Sequence, residues 1–286
     1  MFGPNTHIKD SLKVSYSHRD NKFFTLYKEV DTLFKSTFNL EEYTLLYVPG
    51  SGTVGIEAVI RSVTPIVNLI GNEGKFKSRW QELTNQYVSY GPEVVDMFCQ
   101  LETSNSTTFN REGCIVDAIS SFPFYDLPNN TKIFITCANK ILGSFPGLSI
   151  IGIHRDYIDL VEYIEDFSYL NLGMYLQYAK KQQLPTTAPT HLFQHLKKVL
   201  SNFDLEEIRN KIVQNSCRIV NEVGSENVIG ENICPVITVS KKCIPDSIAT
   251  KYQLYGINST SEYYQIFTYS AEQKDYDNFI NDLKVC

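Results

Sequence analysis

The chain has 286 residues, of which 43% are hydrophobic and 20% are charged, and its net charge is -6 at pH 7. These are ordinary values for a globular protein with one large domain or two unequal domains. The negative charge disfavours a nucleic-acid partner, and no apolar stretch reaches the ~18 residues that a membrane span needs.

Seven cysteines and five histidines are scattered along the chain, and no two cysteines have the CxxC spacing of a zinc site. The sequence therefore predicts no metal site. The first residues lack the basic and then apolar order of a secretory signal peptide. Together with the odd number of cysteines, this pattern predicts reduced thiols and a cytoplasmic protein.

Strand-like and helix-like segments alternate through the first two thirds of the sequence. Apolar residues at helical spacing predict that the first forty residues are mostly helical. The alternation indicates an α/β domain with a mainly parallel sheet flanked by helices. The segments that follow are a strand at 44–49, a glycine-rich turn and helix at 50–63, a strand at 65–71, a helix at 75–87, a strand at 113–122, a strand that stops near 136, a strand at 148–153 and a helix at 156–182.

The last hundred residues have a different pattern. A PTTAPT segment at 185–190 ends the helical pattern, and a long helix with an interruption near residue 202 begins at 191. We expect a large α/β domain over residues 1–190, then a linking helix and a small C-terminal α+β domain over 191–286. The small domain is predicted from strand-like runs at 234–240, 252–258 and 263–270 and a closing helix at 275–284.

A lysine stands where a buried strand ends. Lys140 closes the segment TKIFITCANK, and a loop with Gly143, Pro146 and Gly147 follows. An amine that is partly removed from water has a lowered pKa and becomes a nucleophile toward aldehydes, of which pyridoxal phosphate (PLP) is the common biological case. The alternative is a surface lysine after an edge strand.

An aspartate ends another apolar strand, in CIVDAISS. Asp117 precedes Lys140 by 23 residues, and ligands of open α/β sheets bind at the carboxyl ends of strands. A carboxylate there can keep the pyridine nitrogen of PLP protonated, and Ile119 can pack beneath the ring. The alternative is a turn or N-cap aspartate.

The glycine-rich segment PGSGTVGIEA (49–58) follows a strand and opens a helix, so its N–H groups and the hydroxyls of Ser51 and Thr53 can bind a phosphate. It also spells GxGxxG, and Glu73 stands about where a dinucleotide fold needs its acidic residue. A dinucleotide oxidoreductase is therefore an alternative. Farther along, Phe76 is either an aromatic that stacks on a flat ring or a core residue.

Taken together, the order of phosphate turn, aromatic, aspartate and lysine resembles the class V aminotransferases, a family of fold-type-I PLP enzymes. The likeness is strongest to 2-aminoethylphosphonate–pyruvate and alanine–glyoxylate aminotransferases. It is carried by FGPN (2–5), SHRD (17–20), GSGTVGIEA (50–58), GKFKSR (74–79), LETSNS (101–106), VDAISSF (116–122), CANKILGSFPGLSIIGIHRD (137–156) and LPTTAPTH (184–191).

This resemblance implies an α/β fold-type-I PLP-dependent transferase with a small C-terminal α+β domain. It implies that an amino group passes from a small amine or amino acid, aminophosphonates included, to a keto acid or aldehyde. Lys140 would bind PLP as a Schiff base and carry the proton, and Asp117 would bind the pyridine nitrogen. Further implied contacts are stacking by Phe76, packing by Ile119, Thr103 near the ring hydroxyl, and Ser51, Gly52, Thr53 and Asn139 at the phosphate.

In the same family, a residue at the position of Thr187 binds the phosphate of the neighbouring subunit. The resemblance therefore implies a homodimer with active sites at the subunit interface. The partners are then a small-molecule amino donor and a keto or aldehyde acceptor.

Two features depart from the family's pattern. The spans between Arg79 and Leu101 and between Ser106 and Cys114 are short, which points to a missing or compressed piece of the family's seven-stranded sheet. Gln265 stands where the family has an arginine that binds the substrate carboxylate.

Several alternatives follow from the missing arginine. Either Arg19 or Arg155 replaces it, or the donor is not an ordinary α-amino acid, or the chain no longer turns over. A PLP-dependent lyase or decarboxylase on the same fold, and a shortened non-catalytic homologue, are the alternative functions.

Overall fold

The computed structural model describes residues 17–87, 92–161 and 168–285. The FGPN segment at 2–5, which contributes to the resemblance, lies outside these ranges. In the described ranges, no helix combines the length and the apolar character that crossing a membrane would take.

Eleven strands form three sheets within the described ranges. The largest sheet has six strands in the order β1-β8-β7-β6-β3-β2. Four of them, β2, β3, β6 and β7, run parallel, whereas β8 is antiparallel to both β7 and β1. The strands are β1 (Tyr43–Pro49), β2 (Ile66–Leu69), β3 (Val94–Cys99), β4 (Leu101–Glu102), β5 (Thr107–Thr108), β6 (Ile115–Asp117), β7 (Ile133–Cys137), β8 (Leu148–His154), β9 (Val228–Ile229), β10 (Val236–Ser240) and β11 (Tyr263–Phe267).

Helices connect the strands and cover the sheet. Predicted helices in the N-terminal forty residues, at 50–63 and at 75–87 are confirmed, and so is the interruption near residue 202. The α-helices of the described ranges are α1 (Asn21–Phe38), α2 (Gly52–Ser62), α3 (Lys75–Gln86), α4 (Leu172–Ala179), α5 (Thr190–Leu200), α6 (Leu205–Val223), α7 (Asp246–Lys251) and α8 (Gln273–Lys284).

Local signals explain where the long helices begin and end. Asp20 accepts a hydrogen bond from the Lys22 N–H at 2.8 Å and so caps the start of α1. Asn39 ends that helix in the left-handed region, which asparagine tolerates. Asp204 caps α6 by accepting from the Glu207 N–H at 2.9 Å. The break between α5 and α6 therefore marks the start of a second capped helix.

The burial of the sheet follows from its topology. Every residue of β7 is buried because the strand lies between β6 and β8, which explains its continuous apolar run. In contrast, β2 is an edge strand, and Ile66 in it is 45% exposed. The sheet has six strands within the described ranges where the resemblance implied seven.

Two sequence predictions are wrong. A single helix does not run from 156 to 182: residues Arg155–Leu160 form a short 3₁₀ turn, and α4 begins only after Asn171, which caps it by accepting from the Met174 N–H at 3.2 Å. Nor do residues 252–258 form a strand. They follow α7 as a turn with Gly256 at a φ of 98°, joined to β11 by the isolated bridge from Tyr255 to Gln265.

A smaller three-stranded sheet, in the order β11-β10-β9, packs with α6, α7 and α8 around its own core. It contacts the larger part through the β4–β5 hairpin, which the sequence did not predict. The Ser106 hydroxyl donates to the Val236 carbonyl at 2.6 Å, and the Glu231 N–H donates to the Ser106 carbonyl at 2.8 Å. The linking helix α5 packs on α1 in the larger core, and a division at residue 190 stays a prediction.

Candidate active site

Several of the predicted site residues lie at the ends of β1, β6 and β7, at one edge of the six-stranded sheet. Asp117 is the last residue of β6 and pairs with Ile135 of β7, which ends two residues later at Cys137. Strand β1 runs in the same direction as β7, because both are antiparallel to β8. The residues that follow these three strands therefore meet at the carboxyl edge, where open α/β sheets bind ligands.

These residues line a cavity of about 200 Å³. Thr187 is the one predicted cofactor-binding residue that does not line it, and its side chain is exposed. Its proposed contact with a neighbouring subunit stays a prediction. The residues that the sequence predicted and that line the cavity are Ser51, Gly52, Thr53, Phe76, Thr103, Asp117, Ile119, Asn139 and Lys140.

The carboxylate of Asp117 is buried and held by several donors. It accepts hydrogen bonds from the Trp80 indole Nε1 at 2.9 Å and from the Ile119 N–H at 3.0 Å, and the Cys99 thiol also contacts it. Burial raises the pKa of Asp117 to about 6, while these donors act in the opposite direction. A cationic ring nitrogen beside this carboxylate would lower the pKa again, so the site suits a protonated pyridine.

The amine of Lys140 is in a largely apolar environment. Its Nζ lies 5.4 Å from the ring centroid of Phe267, in β11. Burial lowers the pKa of Lys140, and the nearby Cys137 and Asp117 act against that shift. The following turn is fixed by a hydrogen bond from the Gly143 N–H to the Lys140 carbonyl at 3.0 Å. A lysine in this setting has more of the neutral, nucleophilic amine than a solvated one.

The glycine-rich turn brings the N-terminus of α2 to the same cavity. Ser51 is the N-cap residue, and Gly52 and Thr53 begin the helix. The first N–H groups of an α-helix have no partner inside the helix and attract anions. A Cβ at Gly52 would lie 2.7 Å from the Cδ1 of Ile119, so glycine is needed for this close approach. The geometry fits a phosphate or a similar anion at this end of the cavity.

Helix α3 supplies the aromatic side of the cavity. Phe76 lies in the first turn of α3, and its ring centroid is 6.0 Å from that of Trp80, one turn later. The buried Glu102 carboxylate fixes this turn. It accepts from the Phe76 and Lys77 N–H groups, each at 3.1 Å, and from the Ser104 hydroxyl at 2.6 Å.

A second cavity of about 530 Å³ adjoins the first and shares Phe76, Thr103 and Lys140 with it. Its other walls come from the turn after α7 and from β11. Gln265 lines this cavity, and its Nε2 donates to the carbonyl of Thr103. Thr103 in turn donates from Oγ1 to the Ser120 hydroxyl at 2.8 Å.

Neither arginine that could replace the missing one lines either cavity. Arg155 forms an ion pair with Glu42 at 2.6 Å. It follows the last residue of β8, His154, which pairs with the first residue of β1, Tyr43. This is the opposite end of the strand from the candidate site. Arg19 donates to the carbonyls of Leu184 and Pro185 at 3.2 and 3.4 Å.

The dinucleotide alternative does not agree with the sheet. A dinucleotide fold places the strand before GxGxxG in the middle of a parallel sheet. Here that strand, β1, lies at the edge of the sheet as the described residues form it, and its partner is the antiparallel β8. The expected acidic residue, Glu73, instead forms an ion pair with Lys77 at 2.5 Å.

Several residues of the site were not assigned from the sequence. Trp80 lies four residues after Phe76, and this i, i+4 spacing on one helix face was a usable signal. Glu102 stands in a segment that carries the resemblance, but its role depends on a tertiary contact that no local pattern shows. The further side chains that line the smaller cavity are Cys99, Leu101, Ser120 and Cys137.

Comparison with known proteins gives a fold but no sequence match. No protein-family model matches the chain, and no curated protein matches it by sequence. Solved structures do match. A phosphoserine aminotransferase from Cytophaga hutchinsonii is 16% identical with a TM-score of 0.79, and the match covers 94% of this chain and 90% of that one.

Two other solved structures have the same architecture. A ureidoglycine–glyoxylate aminotransferase from Bacillus subtilis is 15% identical, with a TM-score of 0.80 and coverage of 96% of this chain and 87% of that one. An alanine–glyoxylate aminotransferase from Nostoc sp. is 18% identical, with a TM-score of 0.76 and coverage of 95% and 89%. The chain therefore has the fold-type-I aminotransferase fold, as the resemblance implied.

Proposed function

We propose that this chain is a PLP-dependent aminotransferase that moves an amino group from a small amine or amino acid to a keto acid or aldehyde. The observation that carries the proposal is that Lys140 and Asp117 line one cavity, together with Phe76 and the first residues of α2. An aldehyde cofactor with a pyridine ring and a phosphate needs an amine, a carboxylate, a flat apolar contact and an anion-binding turn. The fold supports the same conclusion.

In this proposal Asp117 holds the ring nitrogen in its protonated form. When bound, PLP supplies an electron-withdrawing ring that stabilises the negative charge developing at the α-carbon of the amino donor. Trp80 and the Ile119 N–H orient the Asp117 carboxylate by donating to its two oxygens. The Asp117 carboxylate is therefore held in one orientation at the wall of the cavity.

Lys140 has two tasks. Its Nζ would hold the cofactor through the aldehyde group, and the same amine, when it is free and neutral, would take and return the proton of the donor's α-carbon as a general base and acid. The lowered pKa of Lys140 increases the fraction of the neutral amine relative to a solvated lysine.

The remaining predicted residues would bind the other parts of the cofactor. Ser51, Gly52, Thr53 and Asn139 would hold the phosphate at the start of α2, while Phe76 and Ile119 would flank the ring. We further propose a homodimer in which Thr187 reaches the phosphate of the neighbouring subunit, and a cytoplasmic location. The exposure of Thr187 supports an intersubunit role.

The test begins with the purified chain and added PLP. We expect a visible absorbance band and, after borohydride reduction, a stable cofactor adduct on the peptide that contains Lys140. The variant Lys140→Ala should lose the adduct while its circular dichroism stays unchanged. A colourless protein, or an adduct on a different lysine, would contradict the proposal.

A screen of amino donors then separates aminotransferase activity from the alternatives. Loss of the visible band on addition of alanine, aminoethylphosphonate or another amine, with recovery on addition of a keto acid, identifies amino transfer. Release of carbon dioxide or ammonia without recovery would identify a lyase or decarboxylase. A coloured protein that responds to no amine would be the shortened non-catalytic homologue. Burial raises the pKa of the Cys137 thiol to about 11, so this residue is a poor nucleophile for sulfur transfer.

A further inference from the structure

We propose that Lys75, an exposed residue at the wall of the larger cavity, is the residue of this chain that binds the oxyanion of the amino donor. The oxyanion is a carboxylate or a phosphonate. This inference rests on the proposed function and names a specificity-determining residue of the same site. It answers the question that Gln265 raises, namely which group binds the anion in place of an arginine.

The charge of the cavity wall is the first observation. Among the described residues that line the larger cavity, the charged ones are Lys140 and the exposed Lys75, and none is an aspartate, glutamate or arginine. Lys140 is reserved for the aldehyde and the proton in the proposed function. Lys75 is therefore the group that can meet a negatively charged end of the donor. A donor with a second amino group would find no counter-charge on this wall.

The polar groups of the wall are the second observation. Gln265 is neutral, and its amide donates to the Thr103 carbonyl. The Ser104 hydroxyl donates to Glu102 at 2.6 Å, and the Ser259 hydroxyl donates to the Gly256 carbonyl at 2.9 Å. These side chains are engaged with the protein itself. Their hydroxyl and amide groups shape the wall but supply no positive charge.

The start of α3 is not itself the anion site. Its first N–H groups already have partners: the Lys75 N–H donates to the Ser104 hydroxyl at 3.1 Å, and the next two donate to Glu102. The positive charge must come from the Lys75 ammonium. Within the ranges that the structure describes, Lys75 forms no ion pair, whereas its neighbour Lys77 is paired with Glu73 at 2.5 Å.

Size and charge together define the donor. A cavity of about 530 Å³ is in the lower half of the range for small-molecule sites, roughly 300–1,000 Å³. A lysine ammonium is a point charge without the planar fork of arginine, so it favours neither the trigonal carboxylate nor the tetrahedral phosphonate strongly. We therefore expect both kinds of anion to bind, and a neutral amine of the same size to bind poorly.

The experiment uses the PLP-loaded chain and three variants. Lys75→Gln removes the charge, Lys75→Arg keeps it, and Lys28→Gln is the matched control, because Lys28 is an exposed lysine of α1 that lines neither cavity. Acetate and methylphosphonate are titrated as unreactive anions, with acetamide as the neutral probe. Binding is followed by calorimetry and by the cofactor's absorbance.

We expect both anions to bind the wild type, and Lys75→Gln to weaken their binding by roughly ten-fold, which is the size of one lost contact to a charged group. The binding of acetamide should be the same in all variants. Lys75→Arg and Lys28→Gln should bind the two anions as the wild type does. With a reactive donor, Lys75→Gln should raise KM for the donor much more than it lowers kcat.

Equal anion binding by Lys75→Gln and the wild type, with normal PLP uptake, would overturn the role of Lys75 and leave the proposed function intact. If the PLP-loaded wild type binds neither acetate nor methylphosphonate, the role of Lys75 is also overturned, and the proposed function is again left intact. Failure of the wild type to take up PLP would overturn the proposed function, and this inference with it.

Discussion

Trp80 donates its indole N–H to the carboxylate of Asp117 at 2.9 Å, and both side chains are almost fully buried, with 1% and 4% of their surface exposed. One turn earlier on the same helix, Phe76 lines the cavity from its aromatic side. Helix α3 therefore positions two groups of the candidate site, the carboxylate and the ring contact.

Replacing Trp80 with phenylalanine should weaken cofactor binding without unfolding the protein. Trp80→Phe keeps an aromatic ring in the core but removes one donor from a buried carboxylate, at a cost of about 1–3 kcal/mol. Loss of the donor should also raise the pKa of Asp117 further. The measurement is PLP titration at several pH values. We expect the affinity of Trp80→Phe for PLP to be about ten-fold lower than that of the wild type. As the pH is lowered, its affinity should also begin to decline at a higher pH than the wild type's does. An unchanged pH profile would show that Trp80 only fills space.

The titration of Asp117 should be visible in the protein's own fluorescence. The chain contains one tryptophan, and that residue bonds to Asp117. Without cofactor, Trp80 emission should change with a midpoint near the pKa of about 6 that burial gives Asp117. Asp117→Asn should abolish this transition. A fluorescence curve that is flat from pH 4 to 8 in the wild type would contradict the raised pKa.

The pH dependence of the free energy of unfolding should follow the titration of Asp117. Because the pKa of Asp117 is raised from 3.8 to about 6, its contribution to stability is fully present below pH 3.8 and is lost as the pH rises through about 6. The loss for this group amounts to about 3 kcal/mol. Urea unfolding of the cofactor-free protein measures this effect. As the pH rises, the free energy of unfolding should decrease less in Asp117→Asn than in the wild type.

Two glycines of α2 offer a matched pair of variants. In Gly52→Ala the new Cβ would lie within 3.0 Å of three side-chain carbons of Ile119 (Cδ1, Cγ1 and Cγ2), so that this cavity-lining side chain must shift. In Gly55→Ala it overlaps the Ser149 hydroxyl and contacts Ile135 in the sheet. Gly52→Ala should therefore fold and bind PLP more weakly, whereas Gly55→Ala should lose about 1–3 kcal/mol of stability through overpacking. Thermal unfolding and PLP titration distinguish the two variants. A large loss of stability in Gly52→Ala, together with a stable Gly55→Ala that binds PLP weakly, would contradict the geometry.

The homodimer can be tested by mixing two impaired subunits. If Thr187 serves the neighbour's site, a mixed dimer of Lys140→Ala and Thr187→Val has one site with both native residues and one with neither. PLP affinity in the mixture should then include a component equal to the wild type, although each parent lacks it. If Thr187 acts in its own chain, no such component appears. Light scattering should report two chains per particle in every sample.

Much of the site was predictable from the sequence because each of its parts is locally encoded. A β-strand that ends in Asp117, a strand that ends before Lys140, and a glycine turn that opens α2 are each visible in fewer than ten residues. Parallel strands then bring their carboxyl ends to one edge. The sheet topology therefore brings these three elements together, and their proximity can be predicted without knowledge of any long-range contact.

The errors have a different origin. Residues 252–258 are apolar enough for a strand, but Gly256 turns the chain and the segment becomes a wall of the larger cavity. The helical pattern over 156–182 ignored Asn171, which starts a new helix. The contacts of Trp80 and Glu102 bridge 37 and 26 residues of sequence, so no local pattern reports them.

The β4–β5 hairpin has a consequence for how ligands reach the candidate site. It is bonded to the three-stranded sheet at several points, through Ser106 to Val236, through Thr108 to Glu231 at 2.6 Å, and through Thr103 to Gln265. A swing of that sheet as a rigid lobe would break all of these bonds at once. Opening or closing the candidate site by a jaw-like movement of the whole sheet would therefore cost several hydrogen bonds at once.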